Sequence, residues 1–182
     1  MTIQELIKKI EQWAIDRELD KKGTVEGQLI KTAEEVSELI IAISKDDLEE
    51  IKDAIGDVFV TLVIGNLLTN IKVLSSEDTI AFENRIKYIG ELHSLSISSK
   101  YNIIKVILND FNEIIAHGSY QTGIGNLWMD LNGVCLMYKL SPVDCIESAY
   151  NEIADRKGVV ENGSFVKASD LEKRKKESDL HE

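Results

Sequence analysis

Two acidic clusters stand inside helical segments that are otherwise rich in apolar residues. The first is Glu34-Glu35-Val36-Ser37-Glu38, and the second contains Glu50, Asp53 and Asp57. Carboxylates on packed helices repel one another and resist burial unless a cation neutralises them. Their oxygens suit Mg²⁺, with Mn²⁺ as the alternative ion. The sequence therefore predicts a divalent metal site between two helices.

Helical spacing decides which of these acids share a face. At about 100° per residue, Glu35 and Glu38 are separated by roughly 60°, and Glu34 and Glu38 by roughly 40°. Glu50, Asp53 and Asp57 lie within an arc of roughly 60° by the same geometry. Each cluster can therefore overlook a single groove.

The connection between the two acidic helices is short. Periodic apolar residues predict one helix over residues 25–44 and the next over 48–71, with Asp46 or Asp47 as the N-cap of the latter. A connection of this length favours antiparallel packing. Antiparallel packing would set the two acidic faces opposite each other.

Composition predicts an all-α fold, a helical bundle with a substantial core. The chain has 182 residues, is 43% hydrophobic and 6% aromatic, and contains one proline. Thr2 is a possible N-cap for the first helix, Ser75 or Ser76 for the fourth, and Pro142 suits the first turn of the last. The remaining helices are predicted over residues 2–18, 76–92, 101–117, 120–139 and 142–156.

The C-terminal part has a different character. Asn162-Gly163 lies between β-forming residues and predicts a hairpin over residues 159–166, followed by a charged tail over 169–182 that is either a frayed helix or disordered. We therefore divide the chain into a helical domain, 1–158, and a hairpin with its tail, 159–182. A weak repeat at an offset of about 75 residues puts a possible pseudo-repeat boundary near 75–100, although chance similarity between two helical hairpins explains it equally well.

Charge and hydropathy limit the partners. A formal net charge of -11 disfavours nucleic acid and anionic membranes, and the longest apolar run, residues 58–68, is too short to cross a bilayer. The expected location is the cytoplasm. Cys135 and Cys145 lack metal-type spacing and are expected to be reduced core thiols.

The order of motifs resembles a known family. Gln28 and Lys31 precede the Glu-Glu-x-x-Glu run of residues 34–38, and a short turn leads to Lys52-Asp53-Ala54-Ile55-Gly56-Asp57, followed by Val58-Phe59-Val60. This order is similar to that of the MazG-like all-α nucleoside triphosphate pyrophosphohydrolases, a helical superfamily that also includes dimeric dUTPases. The resemblance covers about residues 6–68, and residues 150–158 resemble the family's C-terminal segment.

The resemblance implies a reaction and a set of metal ligands. In that family Mg²⁺ binds the triphosphate and activates water, which releases a nucleoside monophosphate and pyrophosphate. Glu35 and Glu38 would be ligands, Glu34 a supporting acid or base, and Asp57 the ligand on the next helix. The chain departs from the usual Glu-Leu-Gly-Asp pattern at Ala54. Substitutes would be Asp53, or Glu50 acting through a water molecule.

Further residues are candidates for substrate binding. Lys31, Arg156 and Lys157 would contact phosphate, and Asn151 would face the same site. Stacking and amide hydrogen bonds suit a nucleobase, so Trp13 and Gln28 are the candidates for base contact.

Three functions are consistent with this pattern. The first is Mg²⁺-dependent hydrolysis of a nucleoside or deoxynucleoside triphosphate by a homo-oligomer. The second is a noncatalytic helical binding or scaffold protein whose altered second motif no longer supports catalysis. The third is a phosphohydrolase for another pyrophosphate-containing metabolite.

Overall fold

A computed structural model describes residues 1–69, 99–118, 120 and 123–179. The described part is all-α with a short antiparallel hairpin, as the sequence predicts. The elements in chain order are α1 Ile3–Asp16, α2 Leu19–Lys22, α3 Val25–Lys45, α4 Leu48–Leu68, α5 Lys100–His117, α6 Ile124–Tyr138, α7 Pro142–Ala154, β1 Gly158–Glu161, β2 Ser164–Lys167 and α8 Ala168–Asp179.

The first helix begins at the predicted cap. The Thr2 side chain accepts a hydrogen bond from the Glu5 backbone N–H, and the Glu5 side chain accepts one from the Thr2 N–H, so the two residues form a capping box. The helix ends at Asp16, earlier than expected, because Glu18 adopts a left-handed conformation. Between the first two predicted helices, Leu19–Lys22 form the short helix α2, which was not predicted from the sequence.

Helices α3 and α4 form the predicted antiparallel hairpin. Thr24 caps α3, Asp46 ends it in a left-handed conformation, and Asp47 caps α4. The buried Gln28 side chain donates to the Thr61 carbonyl at 3.1 Å, which joins the start of α3 to the later part of α4. The two acidic segments therefore lie on neighbouring helices.

Helix α4 is the central helix. Its buried residues lie on all sides, and it packs against α1, α3 and α7. Gly56 allows a close approach, since a Cβ there would lie 2.7 Å from the Ala149 Cβ of α7 and would collide with the Cys145 carbonyl. This close crossing brings the C-terminal end of α7 towards Asp57.

Helices α5 and α6 form a second pair. Helix α6 begins at Ile124 rather than near residue 120, because Gly123 takes a positive φ of 79° and interrupts the helical path. Tyr120 is buried, packs on Gly65 of α4, and its hydroxyl lies 2.6 Å from Thr32 Oγ1. The helix expected over 76–92, and the caps proposed for it at Ser75 or Ser76, lie outside the described residues.

The C-terminal end follows the prediction closely. Pro142 occupies the first turn of α7, and Asn162-Gly163 forms the turn of the β1–β2 hairpin. The tail is helical from Ala168 to Asp179, with four residues per strand preceding it. Both cysteines are free and buried, as expected.

Arg17 joins the end of α1 to the end of α7. Its guanidinium donates to the carbonyls of Ala154 and Arg156 at 2.9 to 3.0 Å, and to the Trp13 carbonyl at 3.2 Å. These bonds satisfy carbonyl groups at the ends of α7 and α1. Arg17 also stacks over the Trp13 ring, 4.4 Å from its centroid. One side chain therefore holds the first and last parts of the helical region together.

Candidate functional site

A pocket opens where α1, α3, α4, α7 and the hairpin meet. We call it the inner pocket. Its lining combines an apolar wall with buried or half-buried polar groups, and the residues are Trp13, Leu19, Gln28, Lys31, Glu35, Asp57, Val60, Thr61, Ile64, Ile153, Arg156 and Phe165. An apolar wall with few convergent charged groups is typical of a small-molecule site.

Lys31 and Glu35 form the α3 side of the inner pocket. They are one helical turn apart, and Lys31 Nζ lies 2.8 Å from Glu35 Oε1 and 2.7 Å from Glu34 Oε2. Glu35 is only 7% exposed, whereas the Glu34 side chain is mostly in solvent. Burial works to lower the pKa of Lys31, but its bonds to Glu34 and Glu35 outweigh burial and raise it. Lys31 therefore remains a cation.

Asp57 forms the α4 side. Burial raises the pKa of Asp57 to about 7, and repulsion from Glu35 and Asp53 adds to the rise, while Arg156 opposes it. The electrostatic repulsion shows that the Glu35 and Asp57 carboxylates lie close to each other across the α3–α4 interface. Functional sites often contain a carboxyl group whose pKa is shifted to near neutral pH.

The other predicted acids are more peripheral. Glu38 is exposed on α3; partial burial and then Glu35 raise its pKa, and Lys31 and Lys167 oppose the rise. Asp53 is half-buried one turn before Asp57. Glu50 is exposed in the first turn of α4, where its backbone N–H bonds to the Asp47 cap. None of these three lines the inner pocket.

The donor chemistry fits a hard divalent cation. Among residues 1–69, 99–118, 120 and 123–179, no three acidic, histidine or cysteine side chains converge into a preformed metal cage. Mg²⁺ is usually held by one or two carboxylates together with waters and substrate phosphates, and it rarely needs such a cage. Glu35 and Asp57 share a pocket and repel each other, a repulsion that a cation would relieve. These two residues would hold the ion.

Trp13 and Gln28 line the inner pocket and also have structural contacts. Trp13 Nε1 donates to the Ile153 carbonyl at 2.6 Å, and its ring meets Phe165 edge-on at a centroid distance of 5.1 Å. The Gln28 amide N–H₂ is directed to Thr61. The Trp13 N–H is therefore already engaged, and its contribution to a ligand would be its ring.

The C-terminal candidates separate into two groups. Arg156 lines the inner pocket and lies 3.8 Å from Glu152. Lys157 and Asn151 are exposed and do not line it. The end of α7 therefore brings one of these three candidates into the pocket.

Several pocket residues escaped sequence reasoning. Phe165 and Ile153 come from segments far along the chain, and Leu19 comes from α2, which was not predicted from the sequence. The hairpin signal at Asn162-Gly163 predicted a strand containing Phe165 but gave no indication of what that strand would cover. Periodicity marks a residue as buried, whereas lining a pocket depends on tertiary packing.

Comparison with protein families supports the sequence resemblance. Residues 2–81, less than half of the chain, match the family described as phosphoribosyl-ATP pyrophosphohydrolase. This match places residues 2–81 in the MazG-like all-α superfamily. The MazG-like region includes α1 to α4, and therefore Lys31, Glu35 and Asp57.

A phage protein shares part of this sequence. The "uncharacterized 18.2 kDa protein in rep-hol intergenic region" of Haemophilus phage HP1 (strain HP1c1) is 50% identical over 62 residues, which is 34% of this chain. The match spans 38% of the length of that relative. No solved structure matches the chain. Within the described ranges, every helix is too short or too polar to span a lipid bilayer.

Proposed function

We propose that the protein hydrolyses a nucleoside or deoxynucleoside triphosphate to the monophosphate and pyrophosphate in a Mg²⁺-dependent reaction. The family match suggests nucleotide pyrophosphohydrolase activity. The observation that carries the proposal is the inner pocket, in which Glu35, Asp57, Lys31 and Arg156 stand beside an apolar wall. Such a pocket offers contacts to both halves of a nucleotide.

The apolar wall is the proposed base and sugar region. Trp13 and Phe165 present aromatic surface there, and the buried residues Gln28 and Thr61 supply polar groups beside it. A base gains stacking energy against aromatic rings and orientation from a few polar contacts. In this proposal the wall holds the nucleoside while the charged side faces the phosphates.

The charged side is the proposed reaction region. Lys31 and Arg156 would bind phosphate oxygens, with Lys31 exchanging its contacts to Glu34 and Glu35 for the substrate. A divalent ion held by Glu35 and Asp57 would supply charge neutralisation and a more acidic bound water. Glu34 or Glu38, both exposed on α3 within one turn of Glu35, would accept the proton of the attacking water.

The departure at Ala54 favours a second candidate function. The position three residues before Asp57 is a buried alanine, Ala54, and therefore supplies no carboxylate. A noncatalytic MazG-like binding or scaffold protein would retain the pocket and bind nucleotide without turnover. A pyrophosphohydrolase for a different metabolite would instead show turnover with another substrate.

One assay separates these functions. Purified protein is incubated with each of the common nucleoside and deoxynucleoside triphosphates, with Mg²⁺ or EDTA, and both pyrophosphate and monophosphate are quantified. The proposal expects equal amounts of the two products, only with the metal, and loss of both in Glu35→Gln. Saturable binding of a triphosphate without product would contradict hydrolysis and support the binding protein.

The proposal includes a homo-oligomer acting in the cytoplasm. Ile30 and Ile41 are exposed on α3, and Leu108 and Ile115 on α5. Exposed aliphatic residues on helices are often covered in oligomers. Sedimentation equilibrium would test this part, and a monomer at all concentrations would contradict it.

A further inference from the structure

A second pocket lies beside the inner one, between the start of α3, strand β2 and α8. We call it the outer pocket. It is lined mainly by polar and charged residues, namely Gly27, Ile30, Lys31, Glu34, Ser164, Phe165, Val166, Lys167, Asp170 and Arg174. Lys31 and Phe165 line both pockets, so the two are adjacent. The outer cavity, about 230 Å³, is larger than the inner one, about 60 Å³.

The outer pocket has an excess of positive charge in a strongly acidic protein. Lys31, Lys167 and Arg174 face Glu34 and Asp170, whereas the whole chain has a net charge of -11. The electrostatic field of the whole protein repels anions, so a site that binds one needs a local excess of positive charge. The arrangement favours an anionic ligand at this place.

Two of the three cations, Lys167 and Arg174, are available to a ligand, whereas Lys31 would exchange its bonds to Glu34 and Glu35 for one. Arg174 is 3.4 Å from Glu161, and both side chains are largely in solvent, so this pair contributes little free energy. Lys167 is half-buried on β2 and lies near enough to Glu38 to oppose the rise in that residue's pKa. Lys167 therefore stands between the acidic face of α3 and the outer pocket.

Close packing fixes the hairpin against α3. The Thr24 N–H donates to the Gly163 carbonyl at 2.9 Å, and a Cβ on Gly27 would lie 2.7 Å from that same carbonyl oxygen. Gly163 has a φ of 80° and would meet Thr24 if it carried a side chain. The start of α8 is held by a bond of 2.9 Å from the Ala168 N–H to the Lys157 carbonyl. The hairpin that carries Lys167 and the start of α8 are thus held in place.

We propose that the outer pocket is a phosphate subsite in which Lys31, Lys167 and Arg174 bind the phosphates that leave as pyrophosphate. This inference rests on the proposed function, since it assigns the nucleoside to the inner pocket and the distal phosphates to the outer one. Lys31, shared by both, would bind the middle of the polyphosphate chain. Residues 158–179, outside the matched region 2–81, would then determine how the leaving group is held.

The test measures binding of inorganic pyrophosphate by calorimetry, with Mg²⁺ and with EDTA. Lys167→Gln and Arg174→Gln are expected to raise the Kd for pyrophosphate about tenfold each, the loss of one charge-assisted contact. Lys167→Arg keeps the charge and should stay within about threefold of wild type. Lys176→Gln, an exposed α8 residue outside the pocket, is the matched control.

Two further measurements distinguish a role of Lys167 and Arg174 in binding from a role in folding. Nucleoside monophosphate should bind wild type, Lys167→Gln and Arg174→Gln equally, because it lacks the distal phosphates. In turnover, the Lys167→Gln substitution should raise KM for triphosphate more than it lowers kcat. If both neutral variants bind pyrophosphate as tightly as Lys176→Gln does, the subsite is wrong.

The outcomes also distinguish this proposal from the proposed function. Charge-dependent pyrophosphate binding by a protein that hydrolyses no nucleotide would uphold the subsite and refute the enzyme. Hydrolysis that is unchanged in Lys167→Gln and Arg174→Gln, with unchanged pyrophosphate binding, would uphold the enzyme and refute the subsite. If Lys167→Gln does not fold, pyrophosphate binding by Arg174→Gln, a change at an exposed residue, tests the subsite alone.

Discussion

Replacing Asp57 by asparagine should stabilise the metal-free protein at pH 8. Asparagine keeps the shape of the side chain and removes a charge that burial and the neighbouring Glu35 and Asp53 disfavour. The folded-state pKa of about 7 exceeds the ordinary value of 3.8. At about 1.4 kcal/mol per pKa unit, the ionised Asp57 costs at most about 4 kcal/mol, and solvent screening of the charge repulsion reduces this to between about 1 and 4.

The sign of the pH dependence follows from the raised pKa. Between pH 4 and 7 the folded protein holds a proton on Asp57 that the unfolded chain has released, so the free energy of unfolding falls as pH rises through this window. By about pH 8 the folded state is also largely ionised and the loss is nearly complete. The advantage of Asp57→Asn should therefore grow from pH 5 to pH 8 and then level off.

Urea denaturation followed by circular dichroism at pH 5 and pH 8, in EDTA, measures this effect. Glu49→Gln, an exposed change on the same helix, serves as the control and should alter stability by only a few tenths of a kcal/mol, about 0.5 at most. Adding Mg²⁺ at pH 8 should stabilise wild type but not Asp57→Asn. A variant that is less stable than wild type at pH 8, or equally affected at both pH values, would refute the reasoning.

Three more predictions follow from the same structure. Glu35→Gln should lower kcat/KM for the triphosphate by about 10²-fold or more, whereas the exposed Glu50→Gln should change it less than about threefold, as steady-state pyrophosphate release would show. Gly56→Ala should cost about 1 to 3 kcal/mol in urea denaturation, because the added Cβ collides with α7. Burial and the neighbouring Asp110 raise the pKa of Asp130 to about 8, so its ionisation should lower the free energy of unfolding as pH rises from 4 to 8. Asp130→Asn should reduce this pH dependence in urea denaturation, and an unchanged pH profile would contradict the prediction.

Local sequence signals predicted much of the fold. Thr2, Asp47 and Pro142 mark helix starts because capping and proline geometry depend on a few adjacent residues. The Asn162-Gly163 turn is equally local. Boundaries failed where a single residue took a left-handed conformation, as at Glu18 and Gly123.

The candidate site was predictable only in part. Helical spacing gave the acidic faces, and the resemblance selected Glu35, Glu38 and Asp57 as ligands. The structure brings Glu35 and Asp57 to one pocket and leaves Glu38 outside its lining. Spacing gave no reason for Glu38 and Glu50 to be exposed, since a helix face can be buried or solvated depending on its neighbours. The role of Phe165 in closing the wall depends on contacts between distant segments.

The hydrogen bonds from Trp13 and Arg17 to the end of α7 have a consequence for folding kinetics. Trp13 and Ile153 are 140 residues apart in sequence, yet both line the inner pocket and a hydrogen bond joins them. Contacts between such distant positions carry a large loop-closure cost and form late, after local helical hairpins have assembled. During refolding, nucleotide affinity should consequently return after most of the helical signal, with a delay that lengthens when Arg17 is replaced.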